Sequence, residues 1–149
     1  MEGLYKDVKV VPKVKQIKIT NEGIIKKADI KFEEGLNIIT GKNATGKTTV
    51  IKAIEKQSPN VWSIEDLIGN SSIADKIMLL FCGITGISLN KCFLIDNLLE
   101  YSDQKLNKSL ERLAESKNQI IITLADTAKI PKIKANIIDT ESFELRWQK

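Results

Sequence analysis

Apolar and polar positions alternate in residues 13–20, KVKQIKIT, Gln16 aside: Val14, then Ile17 and Ile19, are the apolar ones. That pattern predicts a strand with one buried face. NEG at 21–23 reads as a turn, ADIKF at 28–32 as a second strand, and EEG as the turn that closes it. LNIIT at 36–40 is a third strand, more uniformly apolar and therefore more deeply buried. Residues 47–57 change period: Val50, Ile51 and Ile54 fall on one side of a helix, which QSPN breaks. Residues 60–71 follow neither period. ADKIMLLFCGI at 74–84 reads as a buried helix ending near Gly83 or Gly86, and KCFLID at 91–96 as a short apolar strand. Ser102 is placed to cap a helix running to about Lys117, with Leu106, Leu110 and Leu113 at helical spacing. QIIITL at 119–124 is another apolar strand, and ANIID at 135–139 with SFELRW at 142–147 reads as a closing hairpin.

Apolar strands alternating with helices predict an α/β fold, a mostly parallel sheet flanked by helices with an antiparallel strand pair ahead of it. The 149 residues suit one domain, 1–149, and an apolar content of 42% suffices for its core. No apolar run approaches the roughly 18 residues of a membrane span. The opening MEGLYKDVKVVPKVKQIKI lacks the central apolar segment of a signal peptide. The expectation is a cytoplasmic protein with no membrane span. Cys82 and Cys92 form no CxxC and read as two buried thiols. The chain has no histidine, which removes imidazole bases and most zinc sites. The net charge of +4 is carried almost wholly by lysine, and Lys6, Lys9, Lys13, Lys15, Lys18, Lys26, Lys27 and Lys31 crowd the first third. Two readings stay open: a solvated basic face, or a face for a polyanion such as DNA. The scarcity of arginine, only Arg112 and Arg146, weighs toward the first.

Between the third strand and the first helix stands Gly41-Lys42-Asn43-Ala44-Thr45-Gly46-Lys47-Thr48, followed by Thr49. This fits GxxxxGK[ST]. Glycines let the backbone curl so that successive N–H groups face one phosphate. The lysine reaches the outer phosphates and the hydroxyl of Thr48 binds magnesium. The helix that follows aims its positive end at the same anion. The strand before and the helix after supply the context that the motif requires. A carboxylate at the end of a neighbouring strand is then expected to complete the magnesium shell, and Asp96, closing CFLID, is the candidate. The phosphate loop is 41–48, the N-terminal strands span about 13–40 and the magnesium strand 91–96; the ligands implied are ATP or ADP with Mg2+.

IKITNEGIIKKADIKFEEGLNIITGKNATGKTTVIKAI resembles the N-terminal part of ABC-type ATPases, closest in flavour to the SMC and RecF group that works on DNA. Asn43 matches that family's loop asparagine, while Ala44 stands where a glycine is usual. The resemblance implies that Asp96 is the magnesium aspartate and that Asp103 faces a second subunit; a charge beside Ser102 at a helix start explains Asp103 equally well. It also implies that QIIITLAD leads to a switch residue and that NIIDTESFEL closes the domain. The departures are informative. Asn97 occupies the position of the family's catalytic glutamate, and an amide cannot accept a proton at neutral pH. The switch histidine falls at Ala125. The signature loop has a faint echo at Ser71–Lys76, where Ser72 is the retained serine and Ile73 and Ala74 replace glycines. Few residues separate the loop from this echo, so the chain looks like a minimal nucleotide-binding core with its arm cut away.

GKNATGKTT also fits the deviant phosphate loop of ParA-like ATPases, in which a lysine at position 42 reaches across a dimer. FEEGLN and Asn43 favour the ABC-like reading. Two functions remain: a slow ATPase, or a nucleotide-binding switch that hydrolyses little. Glu100 or Asp103 would be a substitute base in the first. Both imply an ATP-dependent homodimer or a partner protein that covers the nucleotide.

Overall fold

The structure, a computed structural model, describes residues 14–42, 46–58, 61–63, 92–96, 103–115, 118–125 and 130–146, excluding the side chains of Trp62, Asp103 and Lys105. The first three strands are β1 (Gln16–Glu22), β2 (Ile25–Lys31) and β3 (Leu36–Gly41), followed by helix α1 (Lys47–Gln57). Then come β4 (Val61–Ser63), β5 (Cys92–Ile95), helix α2 (Asp103–Ala114), β6 (Gln119–Ala125), β7 (Asn136–Asp139), a 3-10 turn (Thr140–Ser142) and β8 (Glu144–Leu145). The predicted opening, three strands, loop and helix, is the one observed. The predicted helix over 74–84 lies outside the described residues.

β4-β5-β6-β3-β7 form a sheet in which all four neighbouring pairs are parallel, and β1-β2-β8 form an antiparallel one. Successive residues of the central strands point to opposite faces. Ile39, Cys92, Leu94 and Ile121 face Val50, Ile51, Ala53 and Ile54 of α1 and the buried side of the antiparallel sheet. Ile38, Phe93, Ile95, Ile120 and Ile122 face Leu106, Leu110 and Leu113 of α2. A strand buried on both sides is apolar throughout, which is why CFLI and QIIITL show no alternation.

Two amides tie the layers at the strand starts. Buried Asn37 accepts from the Glu33 amide at 2.9 Å and donates to the carbonyls of Glu33 and Ile120. Gln119 accepts from the Val14 amide at 2.9 Å and donates to the carbonyls of Val14 and Glu33. Both amides are satisfied, so their burial does not carry the penalty of an unpaired polar group.

The closing hairpin is corrected. β7 pairs in parallel with β3 in the central sheet, whereas β8 pairs with β2 in the other. The Asp139 carboxylate accepts from the Glu141 amide at 2.9 Å, and the Phe143 amide reaches the Thr140 carbonyl at 3.0 Å. This turn redirects the chain, buries Phe143, and delivers Leu145 opposite Ile25 on the open edge of β2.

Cys92, buried in the face under α1, bears out its half of the thiol expectation; Cys82 is outside the described residues. Desolvation pushes its thiol up from 9.0 to about 12. The unfolded thiol ionises near its ordinary value while the native one keeps its proton. Stability is therefore unaffected below pH 9 and declines as pH rises from 9 toward 12. Melting temperatures measured over that range should fall more steeply for wild type than for Cys92→Ala; equal slopes would contradict the assignment.

Candidate functional site

β3 ends at Gly41 and α1 begins at Lys47, so the loop opens at the carboxyl ends of the parallel strands, where α/β sheets bind ligands. Gly46 is the N-cap of α1 in the left-handed region, φ 105°. A Cβ there would stand 2.8 Å from Cδ1 and Cγ1 of the fully buried Ile25, so both backbone and space demand glycine. Gly23, φ 52°, seats the β1–β2 turn on the helix start: a Cβ would approach Thr49 Oγ1 to 2.7 Å. The small sheet thus braces the first turn of α1.

That first turn has no side-chain cap and no acidic residue. The first helical bond runs from the Val50 amide to the Gly46 carbonyl, which leaves the amides of Lys47, Thr48 and Thr49 without intrahelical partners at the positive end of the helix. Lys47 Nζ donates to the Gly41 carbonyl at 2.7 Å and the Leu124 carbonyl at 3.2 Å. Among the described residues no carboxylate pairs with it, so its charge is not neutralised within the loop.

Asp96 follows β5 directly. The expected adjacency of its strand to β3 is corrected, because β6 runs between them. Chain order does not set lateral order, and the apolar composition of 119–125 suits a central place in the sheet. Asp96 nevertheless reaches the loop: Thr48 Oγ1 is 3.3 Å from its Oδ2, and Thr123 Oγ1 on β6 donates to its Oδ1 at 2.7 Å. The first distance is long for a hydroxyl–carboxylate bond and the second is strong.

The AAA domain family model matches residues 16–55. The matched stretch holds β1, β2, β3, the loop and most of α1. No curated protein matches the chain. Among solved structures, one match is a signal transduction ATPase with numerous domains (STAND) that carries a tetratricopeptide repeat sensor, from Pyrococcus horikoshii. It is 18% identical, with a TM-score of 0.45, and the alignment covers 72% of this chain and 21% of that one. The chain therefore spans about a fifth of that protein's length. The fold is α/β, with a parallel sheet and the GxxxxGK[ST] loop between β3 and α1.

Of the residues singled out in the sequence, Gly41, Gly46, Lys47, Thr48 and Thr49 are brought together with Asp96, and Lys42 is exposed beside them. Asn43, Ala44, Thr45, Ser72, Asn97 and Glu100 lie outside the described residues. Asp103 starts α2. A magnesium ion favours hard oxygen donors, usually one or two carboxylates together with substrate phosphates and water. One carboxylate and one hydroxyl at the mouth of a phosphate loop fit that chemistry. Thr123 was missed in the sequence, although it is the one polar position inside the apolar run 120–124.

Proposed function

We propose that this chain binds ATP and ADP with magnesium at loop 41–48 and hydrolyses ATP slowly. One observation carries the reading: Thr48 and Asp96, far apart in sequence, meet 3.3 Å apart beside Lys47. In it, the loop amides and Lys47 hold the phosphates, and Thr48 and Asp96 hold the magnesium. The ion supplies neutralisation of phosphate charge. Asn97, following the magnesium aspartate, cannot take a proton from the attacking water, so the general-base contribution is missing.

The finer reading is a minimal nucleotide-binding core of the ABC/SMC-RecF kind, supported by the motif running from FEEGLN into the loop. A non-hydrolysing switch is the second reading, favoured by Asn97 and Ala125. A ParA-like ATPase, with Lys42 reaching into a partner, has only the loop in its support. The nucleotide would be covered by a second copy or by another protein, with Asp103 at that junction. DNA is a further partner class, resting on the lysines of β1 and β2.

Isothermal titration of the purified chain with ATP should give saturable single-site binding that tightens when EDTA is replaced by magnesium. No heat of binding at millimolar ATP in either condition removes the proposal.

A further inference from the structure

β6 is apolar at Ile120, Ile121, Ile122 and Leu124, all at most 1% exposed, and Thr123 among them is 1% exposed. A hydroxyl in that environment is costly unless it has hydrogen-bond partners. Part of its satisfaction is the 2.7 Å bond to Asp96 Oδ1. The register explains the meeting: Ile95 pairs with Ile122, so Asp96 and Thr123 are the next residues along two parallel strands. Asp96 itself is exposed at the strand end. Without an anchor, its carboxylate would sample several rotamers. The 3.3 Å approach of Thr48 is too loose to select one.

We infer that Thr123 is the positioning residue of the magnesium site: its buried hydroxyl fixes one oxygen of Asp96 and thereby holds the other toward Thr48. Thr123 is stiff for the task, being β-branched in a central strand. The same strand end also gives the Leu124 carbonyl to Lys47 and the Ala125 carbonyl to Thr40 Oγ1 at 3.4 Å. The end of β6 thus contacts both the phosphate lysine and the magnesium carboxylate. This inference rests on the proposed nucleotide site.

The test is ATP affinity with EDTA and with magnesium for wild type, Thr123→Val, Thr123→Ser and Asp96→Ala. The ratio of the two affinities isolates the contribution of the ion. Loss of an outer-shell hydrogen bond of this kind lowers metal affinity about 10–100-fold. Thr123→Val should therefore reduce the magnesium enhancement at least about tenfold while leaving the EDTA affinity unchanged, and Thr123→Ser should restore most of it. If Thr123→Val gives no cooperative melt, Thr123→Ala, which needs no extra space, takes its place under the same criteria. The inference is overturned if the variant keeps the wild-type enhancement while Asp96→Ala loses it, or if EDTA affinity falls equally, which marks a purely structural role. If wild type binds no ATP in either condition, the underlying site reading has failed, and this inference fails with it.

Discussion

Lys47→Ala should abolish the rise in melting temperature that Mg-ATP produces in the wild-type chain. A ligand that binds only the folded state stabilises it by about 2.7 kcal/mol at one hundred times its Kd. For a domain of this size each kcal/mol is worth roughly 2–4 °C, so the wild-type shift should be about 5–10 °C. The argument turns on what the lysine does without ligand. Its ammonium has two carbonyl partners, Gly41 and Leu124, and no carboxylate among the described residues. Two neutral carbonyls do not neutralise the charge, so an anion entering the loop meets a cation already in place. Truncation removes that charge, and it also removes two hydrogen bonds, each worth about 0.5–3 kcal/mol in the unliganded protein. The readout is therefore the nucleotide-dependent shift, compared within each variant by thermal denaturation. A shift in Lys47→Ala equal to that of wild type would mean that nucleotide is held elsewhere.

Asn97→Glu should raise the rate of phosphate release by about 10²–10⁴-fold, the usual worth of a positioned general base. Asn97 is the next residue after Asp96, so a glutamate there would be attached beside a carboxylate that Thr123 already anchors. The gain requires that the loop binds nucleotide, which the Lys47→Ala comparison tests separately, and that the attacking water sits within reach of residue 97. Steady-state phosphate release, with Lys47→Ala as the blank, is the measurement. A wild-type rate already near ~1–10 s⁻¹ would contradict the idea that a base is missing, and would turn attention to Glu100 or Asp103. No acceleration in Asn97→Glu would mean that the attacking water does not sit where this residue can reach it.

The helix 47–57 was legible because two signals coincide there: apolar positions at helical spacing, and the QSPN stretch that breaks the pattern. β5 and β6 were equally legible from their unbroken apolar character, and the approach of Asp96 to Thr48 was expected from the GxxxxGK[ST] motif together with a carboxylate that closes an apolar strand. The lateral order of the strands was not. Nothing in the local pattern of 119–125 says whether it runs outside or between β3 and β5, since both places bury both faces. The split of β7 from β8 was hidden for a related reason. Two short strands joined by a few polar residues look like a hairpin, and only the open edge of β2 determines that the second strand goes there. Thr123 was hidden by its surroundings: one hydroxyl in an isoleucine run reads as a tolerated β-former until its partner on the next strand is known.

The pairing of Ile25 with Leu145 has a consequence for how this chain acquires its structure. β1 and β2 can zip together locally within microseconds. The outer edge of β2, by contrast, must wait for residues made some 120 positions later (25 to 145), which at about 5–20 residues per second is an interval of seconds on the ribosome. β3 is in a similar position, since both of its neighbours, β6 and β7, are synthesised long after it. During that interval the nascent chain displays an unpaired strand edge and the apolar side of α1, the surfaces through which partly folded chains associate. Assembly is therefore dominated by distant contacts and belongs to the slow regime of milliseconds to seconds. Yield in a cell would then be governed less by the final stability of the native state than by how well those two surfaces are shielded until residue 145 is available.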